Sequence, residues 1–294
     1  RVDQSSAMTE VVVRGPSGEI KIGNHRPLTF MLGMNVLEEE RTVERCVEEI
    51  KRISVKYNLS VIFKASFDKA NRSSLSSARG PGLKEGLSRL QDIRERYQLP
   101  VMTDIHTEAQ ASLVADVVDL IQIPAFLCRQ TDLLRAACET HKPLHIKKMQ
   151  LHAPHELKAI VEKCSYFGQE HIILCERGTM FGYGQLIVDP LSFTQLKSHQ
   201  RPVSFDVTHA LQLPGVGDPS KIAAGGRSAL TLPLATAGVS QGLSALFLEC
   251  HPQPDHAWCD GACALPLSSL DWVVHQIVEL DQYIKAHMAR PGEI

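Results

Sequence analysis

A single (β/α)8 TIM barrel is the fold that the sequence predicts, and three observations predict it. Eight short apolar runs recur along the chain, segments with helical periodicity and charged faces lie between most of them, and 294 residues suit one such barrel of roughly 250 residues. Runs that are apolar throughout and alternate with helices belong to a parallel sheet covered on its outer face. A doubly wound open sheet is the alternative with the same alternation.

The elements follow in order. "RVDQSSA" before Met8 reads as the remnant of a tag, which leaves residues 8–294 for one barrel domain. "EVVVRGPSGEIKIG" sets two β-rich arms around Pro-Ser-Gly and predicts a short N-terminal hairpin. The eight runs are "TFMLG" (29–33), "SVIFKAS" (60–66), "PVMTD" (100–104), "VDLIQI" (118–123), "PLHIKK" (143–148), "HIILCE" (171–176), "PVSFD" (202–206) and "SALFLE" (244–249). Helical periodicity marks "EERTVERCVEEIKRISVKY", "GLKEGLSRLQDIRERY", "TDLLRAACET", "HELKAIVEKCSYF", "SALTLPLATAGVSQG" and the closing "LSSLDWVVHQIVELDQYIKAHM". No repeat, low-complexity tract or Pro/Ser-rich linker divides the chain.

Bulk properties narrow the function classes. A net charge of −2 leaves no electrostatic footprint for nucleic acid or an anionic membrane, so the expected partners are small molecules or copies of the chain itself. The longest apolar stretch, "VADVVDLIQIPAFL", is broken by Asp, Gln and Pro well short of the roughly 20 residues that a bilayer span needs. No charged-then-apolar leader opens the sequence. Eight Cys without a C-x-x-C, several inside apolar runs, fit reduced buried thiols and a cytoplasmic location better than a disulfide framework.

In a barrel of this kind the chemistry stands where the strands end. The residues at or just past those ends are Asn35, Lys64, Asp104, Gln122, Lys147, Arg177, His209 and Glu249, and every one is polar. Lys64, Lys69, Arg72, Lys147 and Arg177 should converge on one mouth of a nearly neutral protein, which is costly unless anions balance them. Five cations suit two phosphates and a carboxylate, Arg supplying a fork and Lys a point charge. Lys69 alone would read equally well as a solvated ion-pair partner. "FDKANRSSLSSARGPG" adds Asn71, Arg72 and Ser73 in a loop rich in donors, "RGTMFGYG" and "AAGGR" add Gly-rich turns, and 213–226 reads either as a lid or as an ordinary loop.

"ECHPQPDHAWCDGAC" (249–263) raises the question of a metal, with three Cys, two His, two Asp and a Glu in fifteen residues. Its spacing does not match the C-x2-4-C and H-x3-5-H pairs of structural zinc sites. For His251 and His256 the bland reading, hydrogen bonding within a loop, outweighs catalysis.

The order and spacing of "GMNVLE", "FKASFDKANRSS", "RGPGL", "TDIH", "IQIPAFLCRQTDLL", "IKKMQ", "CERGTMFGYG", "FDVTHALQ", "AAGGR" and "CDG" resemble the 3-deoxy-D-manno-octulosonate 8-phosphate synthases, which are similar to DAHP synthases in fold and chemistry. The resemblance covers about residues 20 to 285. It implies condensation of phosphoenolpyruvate with arabinose 5-phosphate, loss of inorganic phosphate and a cytoplasmic homotetramer serving lipopolysaccharide precursor synthesis. It implies that Lys69, Lys147, Arg177 and Gln122 hold phosphoenolpyruvate, and that Asn71, Arg72 and Ser73 serve the pentose phosphate, partly from a neighbouring subunit. Lys64 and Asp104 would lie near the reacting end of the sugar.

The family has metal-dependent and metal-independent forms, the former using Cys, His, Glu and Asp. The matching residues here are Asn35, His209, Glu249 and Asp260, so the resemblance implies the metal-independent form and no cofactor. Asn35, Lys147, His209 and Asp260 are the expected catalytic group. Two departures from the family pattern are the longer segment 213–224 and Ala224 where a Ser is common. The rival readings are a DAHP synthase-like condensation with erythrose 4-phosphate and a silent phosphosugar-binding barrel.

Overall fold

Each of the eight apolar runs forms a strand, and the strands close on themselves. The computed structural model describes residues 9–213 and 225–288. Its barrel strands are β1 (Thr29–Val36), β2 (Val61–Ser66), β3 (Val101–Asp104), β4 (Leu120–Ile123), β5 (Leu144–Lys147), β6 (Ile172–Glu176), β7 (Val203–Asp206) and β8 (Ala245–His251). Neighbours pair in parallel, and Ala245 of β8 lies opposite both Ser204 of β7 and Thr29 of β1, which closes the ring and excludes the open sheet. The presumed tag and most of the expected lid, residues 214–224, lie outside the described residues.

Among the described residues eight helices cover the ring: α1 (Glu40–Lys56), α2 (Leu83–Tyr97), α3 (Gln110–Ala115), α4 (Thr131–Glu139), α5 (Leu157–Tyr166), α6 (Leu191–Lys197), α7 (Thr231–Val239) and α8 (Leu267–His287). Periodicity does not announce α3 and α6, because six and seven residues are too few to repeat a 3.6-residue pattern twice. Among the described residues no helix is long and apolar enough to cross a membrane.

Alternation along each strand sorts the side chains into two cores. Phe30, Leu32, Phe63, Ile121 and Leu248 pack outward with Val47, Ile50, Leu90 and Val274 of the helices. Met31, Ile62, Met102, Leu120, Ile173 and Phe247 belong to a second core, which they share with Val11, Val13 and Ile22. Those last three come from the antiparallel hairpin Val11–Gly15 and Gly18–Ile22, in the register Val11 opposite Ile22, so the hairpin caps the N-terminal end of the barrel. Toward the C-terminal ends of the strands the buried side chains turn polar, among them Asn35, Lys64, Asp104, Gln122, His145, Lys147, Asp206 and Glu249.

Strands β1 and β8 run past the ends expected from the sequence, to Val36 and His251, so Asn35, expected beyond its strand, and Glu249, expected as the last residue of its own, both sit within strands. The β1–β2 register shifts between Gly33 and Val36. At this irregularity the consecutive carbonyls of Met34 and Asn35 both accept from Lys64 Nζ, at 3.3 and 3.1 Å. Gly33 permits the close approach: a Cβ there would stand 1.7 Å from the Lys64 carbonyl oxygen.

Candidate active site

The C-terminal mouth opens into a cavity of about 590 Å³ walled by Lys64, Lys69, Lys147, Arg177, Asp104, Gln122, His209, Asp260 and Asn71. Asn35 and Glu249 stand directly behind this wall, hydrogen-bonded to its members. The expected site residues thus come together except for two: Ser73 is exposed and Arg72 half-buried, and neither lines the cavity. Arg227 also lies elsewhere, beside Leu186.

The four wall cations differ in how far the protein already satisfies them. Lys64 has three donors and three protein acceptors, Glu249 Oε1 at 2.8 Å and the two β1 carbonyls, so its charge faces the cavity while its hydrogens are committed. Lys69 Nζ has no hydrogen-bond partner among the described residues. Arg177 gives Nη2 to Gln212 at 2.9 Å, and its buried Nη1 has no partner among the described residues. Lys147 is held by Asp206 Oδ2 and lies 3.8 Å above the Phe247 ring. Lys69, Lys147 and Arg177 are therefore the cations best placed to meet an anionic ligand.

At the centre stands the Asn35 amide. Its Nδ2 is 2.8 Å from Glu249 Oε2, 3.0 Å from Asp260 Oδ2 and 3.2 Å from His209 Nε2. The amide has two hydrogens, and the carboxylates are the closer and stronger acceptors. On its other edge His209 Nδ1 donates to Asp206 Oδ2 at 2.7 Å, since a carboxylate can only accept. The Nε2 position is left to gain or lose a proton, as an acid or base requires.

The charges hold one another in place. Burial alone would push the Glu249 carboxyl up, but Lys64, His209, Lys69 and Lys147 outweigh it and bring the group down to about 2. Burial likewise opposes the ionised forms of Asp260 and Asp206, and the cations around them hold both below the usual carboxylate range. Burial disfavours His209 as a cation, yet Asp206 and Glu249 prevail and raise its pKa. Lys64 goes the other way: desolvation outweighs its carboxylate partner and lowers it. For Lys69, burial is overcome by Asp104, Glu249 and Asp260, which favour its ammonium form.

Asp206 was not singled out from the sequence. It ends β7 and caps the one-turn helix Val207–Ala210, accepting from the His209 N–H at 2.9 Å, and this turn swings His209 back over the barrel. The signal was present in "FDVTH", an Asp at the strand end three residues before the His. His106 was also missed; its Nε2 donates to Asp104 Oδ2 at 2.8 Å on the same cavity wall.

The Cys/His stretch is a scaffold. His251 is buried against Glu38 at 2.9 Å and accepts from Gln253 N–H at 2.9 Å, while Glu38 also takes the Trp258 N–H at 2.8 Å. This ties the segment carrying Asp260 to the end of β1. His256 is exposed, Cys250 donates to the Gly33 carbonyl and Cys259 is buried.

A model of the DAHP synthetase I family matches residues 4–286. The chain belongs to this family. Within it, the chain is 49% identical over 279 residues to the 2-dehydro-3-deoxyphosphooctonate aldolase of Pseudomonas fluorescens, covering 95% of this chain and 98% of that protein. The proteins of the same name from Azotobacter vinelandii and Pseudomonas aeruginosa are each 49% identical, over 278 and 282 residues. These alignments cover 95% and 96% of this chain and 97% and 99% of those relatives.

Proposed function

We propose that the protein condenses phosphoenolpyruvate with D-arabinose 5-phosphate and water, giving 3-deoxy-D-manno-octulosonate 8-phosphate and inorganic phosphate, and that it does so without a metal. The name shared by the relatives refers to this same octulosonate phosphate and gives no support to erythrose 4-phosphate as the sugar. The observation that carries the reading is the cavity wall, where Lys69, Lys147 and Arg177 offer charge not fully used by the protein, with a titratable His209 beside them.

C3 of phosphoenolpyruvate attacks the sugar aldehyde, water adds at C2, and the tetrahedral adduct expels phosphate by C–O cleavage. Negative charge moves at each step toward oxygens already facing cations, so fixed electrostatics and alignment of the two anions supply most of the acceleration. Asp206 sets the His209 tautomer, and His209 with Lys147 handles the proton of the added water. Asn35 and Asp260 orient that water. Gln122, Asp104 and Asn71 complete the substrate wall, Glu249 supports Lys64 from behind it, and Arg72 and Ser73 reach the sugar phosphate only from their loop.

The donor set supports the metal-free reading. His209 Nε2 lies 3.5 Å from Glu249 Oε2 and 3.6 Å from Asp260 Oδ2, but the amide nitrogen of Asn35 fills the point between them and presents hydrogens, not a lone pair. Zinc would need ligands at about 2.0–2.3 Å, with a thiolate strengthening the site. Exposed Phe126, Leu151, Phe181 and Tyr183 around the mouth support assembly with further copies, a tetramer in the family pattern, and eight cysteines without a C-x-x-C suit a cytoplasmic setting.

The test is phosphate release from phosphoenolpyruvate, with arabinose 5-phosphate or erythrose 4-phosphate, in the presence and absence of EDTA. Release that needs the pentose phosphate and ignores EDTA is expected. Loss of activity in EDTA would overturn the metal-free form, and saturable binding with no release under any condition would leave a silent binding barrel.

A further inference from the structure

One layer below the cavity the barrel interior holds a chain of neutral hydrogen bonds. His145, on β5, is completely buried. Its Nε2 is 2.7 Å from Ser204 Oγ and its Nδ1 is 3.1 Å from Gln122 Oε1. The imidazole lies nearly parallel to the Phe247 ring, 7° off at 6.1 Å, and Lys147 sits over that same ring. Burial first, and the Lys147 charge second, push its pKa down to about 3, so the ring is neutral at physiological pH.

A neutral imidazole has one donor and one acceptor. The carboxamide oxygen of Gln122 can only accept, so the hydrogen is on Nδ1, and Nε2 takes the hydroxyl hydrogen of Ser204. With its oxygen held from below, Gln122 keeps its carboxamide nitrogen for the cavity that it lines, and that nitrogen has no partner among the described residues. Barrel interiors are ordinarily filled by branched apolar side chains. A buried imidazole is costly there unless both ring nitrogens are matched, as they are.

We propose that His145 is a positioning residue for anion binding: it fixes Gln122 in the orientation that offers two N–H donors to the carboxylate or phosphate of the bound substrate. Without it the carboxamide turns over at little steric cost and presents its oxygen lone pairs to an anion instead. His145 touches no substrate, so its influence passes through Gln122. The inference rests on the reading of the cavity as a phosphoenolpyruvate site.

The experiment is a double-mutant cycle on the full chain, with KM for phosphoenolpyruvate and its calorimetric Kd measured without sugar. His145→Leu should raise both roughly tenfold to a hundredfold, the worth of an oriented hydrogen bond to a charged group, with a smaller change in kcat. His145→Asn, whose amide can still donate to Gln122, should recover most of the loss. In a Gln122→Leu background His145→Leu should add less than about twofold.

Additive effects in the cycle, or a lowered Tm with KM and Kd unmoved, would overturn the proposal and leave His145 as packing. Should the leucine variant fail to fold, Ser204→Ala serves, since it removes only the hydroxyl that donates to Nε2 and keeps the ring hydrogen on the Gln122 side. A KM raised a few-fold supports the relay, and an unchanged KM overturns it. Wild-type protein that neither binds nor consumes phosphoenolpyruvate would overturn the functional reading itself, a result seen before any variant is made.

Discussion

Lys147 and Lys148 stand side by side at the end of β5, and their ammonium groups meet different surroundings. Lys148 Nζ is within 3.1–3.4 Å of the Met149, His152 and Gly178 carbonyls and the Thr179 hydroxyl, and 3.3 Å from Glu176 Oε1. Glu176 in turn accepts the N–H groups of Arg177 and Gly178 at 2.9 and 2.8 Å. Lys147 has one carboxylate, an aromatic face and the cavity. The two-residue period of a strand sends neighbours to opposite sides, and here it separates a cation used for architecture from one with binding capacity left over.

The largest expected effect breaks that contrast from the cavity side. Lys147→Met should lower kcat by about a hundredfold to a thousandfold, the usual cost of removing one preorganised group facing developing charge. His209 stays beside Asp206, so the folded state keeps a counter-ion for that carboxylate. Steady-state phosphate release and a thermal melt on the same sample check both halves. A melt that collapses while kcat per folded molecule holds would reverse the roles of the two lysines.

Lys148→Met should show the opposite pattern. It strips a fully buried carboxylate of its cation and several carbonyls of their donor, which places the loss at about 3–5 kcal/mol of folding stability. Urea unfolding measures it. Because Glu176 anchors the backbone of Arg177, KM for phosphoenolpyruvate should rise as well, while kcat changes less than in Lys147→Met.

The barrel itself was legible because each strand is an apolar run of its own and most of the helices between, all but α3 and α6, are long enough to show a period. The candidate site was legible in outline because Asn35, Lys64, Asp104, Gln122, Lys147 and Glu249 are polar residues set in or beside those runs, as a polar cavity at the barrel mouth requires. Asp206 carries only a capping signal in "FDVTH", and that signal does not say that a single helical turn will fold His209 back over the barrel. Nothing in the sequence assigns Lys148 a role, and only the three-dimensional arrangement shows five protein oxygens around it. His145 carries no sequence signal, since its partners are 23 and 59 residues away.

A pH titration sharpens the comparison, because the cavity network stores its stability in ionised carboxylates. The Glu249 carboxyl falls from an ordinary 4.5 to about 2 in the folded protein. A depressed carboxyl contributes stability that is fully present above its unfolded value and is lost as pH falls through its folded value. The contribution is on the order of 3 kcal/mol, and the window runs from about pH 4.5 down to about 2. Glu249→Gln should therefore be less stable than wild type at pH 7, with the gap closing across that window. A gap that stays constant to pH 2 would mean that the Lys64–Glu249 pair adds nothing through its charge.

The smallest effect concerns the amide at the centre. Asn35 is held by the two carboxylates and lies beside His209, the three groups whose spacing would otherwise suit a cation. Asn35→Cys removes the plug of N–H hydrogens and supplies a thiolate, so divalent-metal affinity should rise by about tenfold or more. Zinc titration against a competing chelator reads this directly, without reference to turnover. Two buried carboxylates lose their amide donor, so the variant should melt below wild type in the absence of metal and recover thermal stability when metal is added. An unchanged titration would mean that the carboxylates and His209 cannot draw together around an ion, and that the site is shaped for the amide rather than merely occupied by it.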